Sequence, residues 1–190
     1  MIFLNPAYND LDSTISFGNY HPHKLSDGTK NPNFDKWSGR ILDIKENRPG
    51  SIDFFFNHVN GLLSQNFAIA VVPSHNSEKV DSGIRRLAQE LAKFGRIDAT
   101  SCLIRHTTID KLSSGGNRSL DVHLNSIGVK SLQIIGNREV LLLDDVTTSG
   151  NSLIACERLL KQAGVQVVQR AALGQTVRDV SSQNVESAWT

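Results

Sequence analysis

A chain of 190 residues has the length of one domain with a normal hydrophobic core and room for a small appendage. Its apolar fraction of 39% and charged fraction of 21% are those of a globular protein in water, and a net charge of +1 supports neither nucleic acid nor a membrane surface as the main partner. No apolar run is long enough to span a bilayer, and Met1-Ile2-Phe3-Leu4-Asn5-Pro6 lacks the charged start and long apolar centre of a signal peptide, so a cytoplasmic protein is expected.

The N-terminal segment, residues 1–50, is rich in Asn, Asp, Gly, Pro and Ser. The pattern predicts strands over residues 14–20 and 40–44, separated by the turn-prone run Ser26-Asp27-Gly28-Thr29-Lys30-Asn31-Pro32-Asn33. Tyr20, Phe34 and Trp37 are aromatic residues that could stack on a flat ligand, although packing of a small appendage explains them more simply. His21 and His23 lie close together without a Cys or third His to complete a zinc site.

From Ser51 the patterning sharpens. After the Pro49-Gly50 break, apolar residues at 52, 55, 56, 59, 62 and 63 predict a helix over residues 51–63 with Ser51 as its N-cap. The run Phe67-Ala68-Ile69-Ala70-Val71-Val72-Pro73 is short, apolar and β-branched, which suits a central parallel strand ending at proline. A polar loop, Ser74-His75-Asn76-Ser77, leads from it toward a helix over residues 83–94. In an open α/β sheet the C-terminal ends of strands are where ligands bind. Lys79, Arg85 and Arg86 can add positive charge there, or form the solvated face of the helix.

Residues 99–105 read as a further strand, followed by a long polar stretch over residues 106–119 that contains Gly115-Gly116, and then by a strand over residues 122–129 with imperfect alternation. Cys102 in the first of these strands and Cys156 further on are the only cysteines, and both sit where a free thiol acts as a small hydrophobe.

The most informative stretch is residues 140–152, Val-Leu-Leu-Leu-Asp-Asp-Val-Thr-Thr-Ser-Gly-Asn-Ser. It starts as a strand buried on both faces, passes through Asp144 and Asp145, and becomes a loop of hydroxyls and glycine before a helix that runs to Lys161 and stops at Gly164. A helix N-terminus with Thr147, Thr148, Ser149 and Ser152 around it favours a phosphate, and Gly150 allows a close approach or a positive φ. Two carboxylates would repel that phosphate but accept hydrogen bonds from sugar hydroxyls or sit near a divalent cation. A phosphorylated ribose satisfies both halves. A last strand over residues 165–174 and a polar tail with Trp189, a residue that suggests docking, complete the chain.

Residues 140–152 resemble the 5-phosphoribosyl-1-pyrophosphate (PRPP) motif of type I phosphoribosyltransferases: four apolar residues, two acids, an apolar residue, two variable or hydroxyl positions, Ser-Gly and, after Asn151, a hydroxyl. With the strand ending at Pro73, the Arg-Leu-Ala-x-x-Leu-Ala helix, and Lys111-Leu-Ser followed by Arg118, the chain looks most like the ComF-like group over residues 68–175. It departs from that group at Asp81-Ser82-Gly83-Ile84-Arg85, where the group carries Arg-Gly-Phe-Asn-Gln, and in having no cysteine zinc knuckle.

The resemblance implies an α/β fold, a doubly wound and mainly parallel sheet over residues 51–175, with residues 1–50 as a variable hood and 176–190 as a tail. It implies a transferase that binds PRPP with Mg²⁺ and passes the phosphoribosyl group to a nitrogen acceptor, a base or an amine, releasing pyrophosphate. The PRPP-binding residues would be Asp144, Asp145, Val146, Thr147, Thr148, Ser149, Gly150, Asn151 and Ser152, with Ser74, His75, Asn76 and Ser77 around the pyrophosphate. The ion would be held mainly by PRPP, with Asp144 and Asp145 near it. Asp145, together with Lys111 and Arg118 on a closing flap, would be the catalytic residues. Family members commonly dimerise. Related proteins that keep the motif but sense PRPP or nucleotides in regulatory or defence assemblies give the alternative expectation.

Overall fold

A computed structural model of the chain describes residues 1–110 and 119–177. The expected flap residues Lys111 and Arg118, and Trp189 in the tail, lie outside the described residues. No helix among the described residues is long and apolar enough to cross a membrane.

The molecule is a mixed α/β structure around a six-stranded sheet. In chain order the strands are β1 (Thr14–Ser16), β2 (Asn19–Tyr20), β3 (Ala68–Val71), β4 (Ile97–Asp98), β5 (Leu103–Arg105), β6 (Ile127–Val129), β7 (Val140–Thr147) and β8 (Val168–Thr176). The helices are α1 (Lys36–Lys45), α2 (Ser51–Val59), α3 (Gly83–Ala92), α4 (Leu120–Leu124) and α5 (Asn151–Gln162). The sheet runs β1-β8-β7-β3-β4, β2 also pairs with β8, and every pairing in it is parallel. β5 and β6 form a separate antiparallel pair.

Alternation along the strands sorts the core into two layers. Ile69, Val71, Leu141, Leu143, Ala171 and Leu173 pack with Ile41 and Ile44 of α1, Phe55 and Val59 of α2, and Ile84, Leu87 and Leu91 of α3. Ala68, Ala70, Val72, Val140, Leu142, Val168 and Ala172 pack with Leu153, Cys156 and Leu160 of α5 and with Cys102, Leu103 and Ile127. Helices on both faces of a parallel sheet are compatible with the doubly wound arrangement expected, and they explain why β7 begins with four consecutive apolar residues, all fully buried.

The N-terminal segment builds the far edge of this sheet. Thr14 pairs with Arg170 and Tyr20 with Thr176, and the Trp37 indole N–H donates to the Leu173 carbonyl at 2.9 Å. The strand expected over residues 40–44 is instead part of α1. Asp35 caps that helix by accepting from the Ser38 N–H at 2.7 Å, and Trp37, Ile41 and Ile44 fall on one helical face against the sheet.

Three other expectations need correction. Gly50, not Ser51, holds the N-cap position of α2; Ser51 is its first helical residue and its hydroxyl donates back to the Arg48 carbonyl. The strand expected over residues 99–105 shortens to β5, which leaves the central sheet to pair with β6, and β4 takes the edge beside β3. The strand expected over residues 122–129 divides into α4, capped by Ser119, and β6. The imperfect alternation there reflects a change of element within one short run.

Candidate functional site

A cleft of about 720 Å³ opens at the C-terminal edge of the sheet, where β2, β3, β7 and β8 end. Of the residues expected to bind a ligand, Ser74, His75, Asp144, Asp145, Val146, Thr148 and Ser152 lie on its wall. Thr147, Ser149, Gly150, Asn151, Asn76 and Ser77 are not on that wall, although their loops border it. Thr147 is buried as the last residue of β7, because the strand continues through both acids and ends later than the apolar run suggests.

The two acids separate because a strand alternates. Asp144 continues the side of β7 that faces α5, and its Oδ2 accepts from the Ser152 hydroxyl at 3.1 Å. Its Oδ1 accepts from the Asp145 N–H at 2.8 Å. Asp145 continues the opposite side, where the Lys45 ammonium at the end of α1 lies 3.4 Å from its Oδ1. Burial, reinforced by the Asp145 carboxylate, pushes Asp144 up to about 7 against the opposing Asp145 N–H, Lys45 and the Ser152 hydroxyl. For Lys45, burial favours the neutral amine, but Asp145, with Tyr20 and Asp144, outweighs it and holds the ammonium above its ordinary value. Thus one acid of the pair is ion-paired while the other is half-buried against a hydroxyl.

The loop between β7 and α5 is fixed at both ends. Gly150 is left-handed (φ 78°), where a side chain would strain the turn that starts α5. The Thr148 hydroxyl meets the Thr176 hydroxyl at 2.7 Å, and the Gln175 amide donates to the Thr148 carbonyl. The twelve-residue helix α5 therefore begins beside Asp144 and Ser152, with its positive end at the cleft.

On the neighbouring strand, the loop over residues 74–77 is zipped to the segment that follows β5. Ser77 N–H donates to the Thr108 hydroxyl at 3.0 Å, the two hydroxyls meet at 2.8 Å, and Ile109 N–H donates to the His75 carbonyl at 3.0 Å. Beneath this zipper Arg105 is buried, donating to the Ser74 carbonyl and the Ser126 hydroxyl, with a guanidinium nitrogen 3.4 Å from His123 Nδ1. Both Arg105 and His123 reach the cleft wall. Neither is legible as a site residue in the sequence, because one ends an apolar strand and the other sits in a region that reads as a strand. A buried arginine at a strand's end is the only signal available.

Tyr20, Pro22, Ile44 and Lys45 bring the N-terminal segment to the same cleft, together with Ser82, Gly83 and Ile84 at the start of α3. Phe34 packs edge-on against His23, and Trp37 sits in a cluster with Phe54, Phe55 and His58, so of the three candidate stacking residues Tyr20 is the one on the wall. Cys102 and Cys156 are free and buried, and burial pushes both thiols up, Cys102 to about 12, which keeps them protonated and unreactive.

Among the described residues no group of three or more His, Cys, Asp or Glu could hold a metal ion by itself. Asp144 and Asp145 suit a different arrangement, in which a Mg²⁺ arrives with the oxygens of a phosphorylated ligand and the protein adds one or two nearby carboxylates. Comparison with models of known protein families gives no match, and no curated protein matches the chain.

Proposed function

We propose that this chain is a phosphoribosyltransferase of the type I kind that its motif resembles, binding Mg-PRPP and transferring the phosphoribosyl group to a nitrogen acceptor with release of pyrophosphate. The observation that carries the reading is the meeting of two loops in one cleft. The acids, Ser152 and the α5 N-terminus follow β7, and Ser74 and His75 follow β3, its hydrogen-bonded parallel neighbour. Adjacent strands lie about 4.8 Å apart, a spacing a ribose can bridge between a phosphate at one end and a pyrophosphate at the other.

In this reading the 5-phosphate sits at the loop over residues 148–150 and the first turn of α5, the ribose hydroxyls donate to Asp144 and Asp145, and the pyrophosphate lies along Ser74 and His75. The bond from C1 to the pyrophosphate oxygen breaks with its electron pair leaving on pyrophosphate. The acceptor nitrogen then forms the C1–N bond and loses its proton to water. The chain's part is to hold the reacting groups in line and to stabilise charge, the α5 N-terminus facing the phosphate and the Asp145 carboxylate facing the positive sugar as it forms. Mg²⁺, entering as part of the substrate, offsets the charge of the pyrophosphate.

The test is titration of Mg-PRPP into the wild type and into Asp144→Asn/Asp145→Asn. Binding should be present in the first and lost in the second, with the far-ultraviolet circular dichroism of both alike. Equal titrations would sink the reading.

A sensing role is supported by one feature, the segment over residues 81–85. Asp81 is ion-paired with Arg86, Ser82 caps α3, and Gly83 is pressed on the Ile44 carbonyl, so this segment is occupied with structure where the resembling group carries a polar motif. Release of pyrophosphate with any acceptor separates transfer from sensing.

A further inference from the structure

β8 runs past the core: residues 168–174 are buried, whereas Gln175 and Thr176 at its end are half-exposed. The N-terminal segment holds this extension from one side. β2 pairs Asn19 with Gln175 and Tyr20 with Thr176, the Gln175 N–H donates to the Gly18 carbonyl at 2.9 Å, and the Val177 N–H donates to the Tyr20 carbonyl at 3.0 Å. Gly174 lets β2 come this close, since an added Cβ would lie 2.9 Å from the Tyr20 Cβ and 2.6 Å from Ile41 Cδ1. On its other side the extension reaches the loop between β7 and α5. Thr147 pairs with Gln175, the Gln175 side-chain amide donates to the Thr148 carbonyl at 3.3 Å, and the Thr148 and Thr176 hydroxyls meet at 2.7 Å. Thr148 is thus held at both backbone and side chain by residues 27 and 28 positions further along the chain.

The direction of the hydroxyl pair follows from what the loop is to hold. A hydroxyl has one hydrogen to donate and lone pairs with which to accept. A phosphate dianion offers only acceptors, so a Thr148 hydroxyl that faces it donates to the phosphate and meets Thr176 as an acceptor. Thr176 then donates to Thr148, and the bonds in the row from Thr176 through Thr148 to the phosphate strengthen one another. Both threonines and Ser152 line the cleft, and Gly150 starts α5 two residues after Thr148, which sets this hydroxyl beside the positive end of that helix. A threonine side chain on an exposed loop turns among rotamers, and a partner at 2.7 Å selects one of them.

We propose that Thr176 is a positioning residue for the sugar phosphate: its hydroxyl orients that of Thr148 toward the 5-phosphate, so that the loop is set before the ligand arrives. This rests on the PRPP reading above and deepens its phosphate half. It also gives the N-terminal segment a part in donor binding, because β2 holds the end of β8 from which Thr176 reaches the loop.

The experiment is calorimetric titration of the full chain with Mg-PRPP and with Mg-pyrophosphate, which lacks the 5-phosphate. If the wild type does not bind Mg-PRPP, the donor reading falls and the role of Thr176 falls with it. Given that binding, Thr176→Val should weaken Mg-PRPP by about fivefold to tenfold, the effect of one oriented hydrogen bond. Mg-pyrophosphate should stay within about twofold of the wild type, and Thr176→Ser, which keeps the hydroxyl, should stay within about twofold for both probes. A double-mutant cycle separates action through Thr148 from direct contact with the ligand. Thr148→Val/Thr176→Val should bind Mg-PRPP within about twofold of Thr148→Val alone, because the second hydroxyl has nothing left to orient. Unchanged Mg-PRPP affinity in Thr176→Val, an equal loss for both probes, no rescue in Thr176→Ser, or additive losses in the double variant would overturn the assignment while leaving the donor site standing. Valine suits a strand end, so the fold should hold; if Thr176→Val does not fold, Thr176→Ala carries the same comparison.

Discussion

Asp144 and Asp145 are adjacent in the chain but face opposite sides of the sheet, and that separation gives them different neighbours. Asp145 has the Lys45 ammonium at 3.4 Å, whereas Asp144 is half-buried beside the Ser152 hydroxyl. Because its folded value is raised to about 7, from an ordinary value of 3.8, the folded protein holds a proton there that the unfolded chain releases above about pH 4. The stability linked to that proton is therefore complete at low pH and is lost as pH rises from about 4 through 7. Between pH 5 and pH 8 the ligand-free protein should lose on the order of 1–2 kcal/mol from this residue, a figure reduced from the full shift because solvent reaches the site. Asp144→Asn should flatten that slope. Urea unfolding of both proteins at the two pH values measures it, and identical slopes would show that Asp144 titrates normally.

At the scale of elements, the cleft depends on how close α1 comes to α3. Gly83 opens α3 at the point where the Ile44 carbonyl of α1 passes, and an added Cβ would lie 2.0 Å from that oxygen. Both atoms are fixed by backbone, so relief requires moving a helix. Gly83→Ala should cost about 2–3 kcal/mol despite the better helix propensity of alanine. It should also shift Lys45 away from Asp145, so Mg-PRPP affinity and thermal midpoint should fall together. A midpoint equal to that of the wild type would mean the helices can part freely. The legible part of this region is the helix over residues 83–94, whose periodicity is strong. Its contact with Ile44 is not legible, because the spacing of apolar residues in α3 records that a face is buried without recording which helix covers it.

For the whole molecule, the question is whether residues 51–175 can stand without what precedes them. Ile2, Phe3, Ile41 and Ile44 are fully or almost fully buried in the layer shared with α2, α3 and the sheet, and β1 and β2 cover the outer edge of β8. Arg170 of β8 is also tied to Glu157 of α5 at 3.2 Å and donates to the Asp12 carbonyl at 2.6 Å. Removing residues 1–50 would open that layer and leave β8 as an uncovered edge. The truncated chain should lack a cooperative thermal transition and should aggregate, as circular dichroism and size-exclusion chromatography would show. A soluble fragment with a sharp transition would establish residues 51–175 as an independent unit.

The local order of strand, two acids, hydroxyl loop and helix over residues 140–152 is legible in the sequence, since a doubly buried strand must be apolar throughout and a glycine must turn the chain into α5. The same holds for β3 and for Pro73, two residues beyond its end. Residues 40–44 look like a strand because Trp37, Ile41 and Ile44 show their helical spacing only when the window begins at the Asp35 cap, while the short run inside it shows only isoleucine and leucine as its apolar residues, between turn-prone segments. β5 and β6 leave the central sheet because strand partners are chosen by contacts distant in the chain. What the sequence determined by itself is the chemistry available at the end of β7, because that depends on residues adjacent along the chain. Tertiary structure alone decided that Lys45 meets Asp145, that Tyr20 reaches the cleft and that Arg105 and His123 sit beneath the loop over residues 74–77. Each of those pairings joins residues far apart in the chain, where no local spacing rule can foretell a contact.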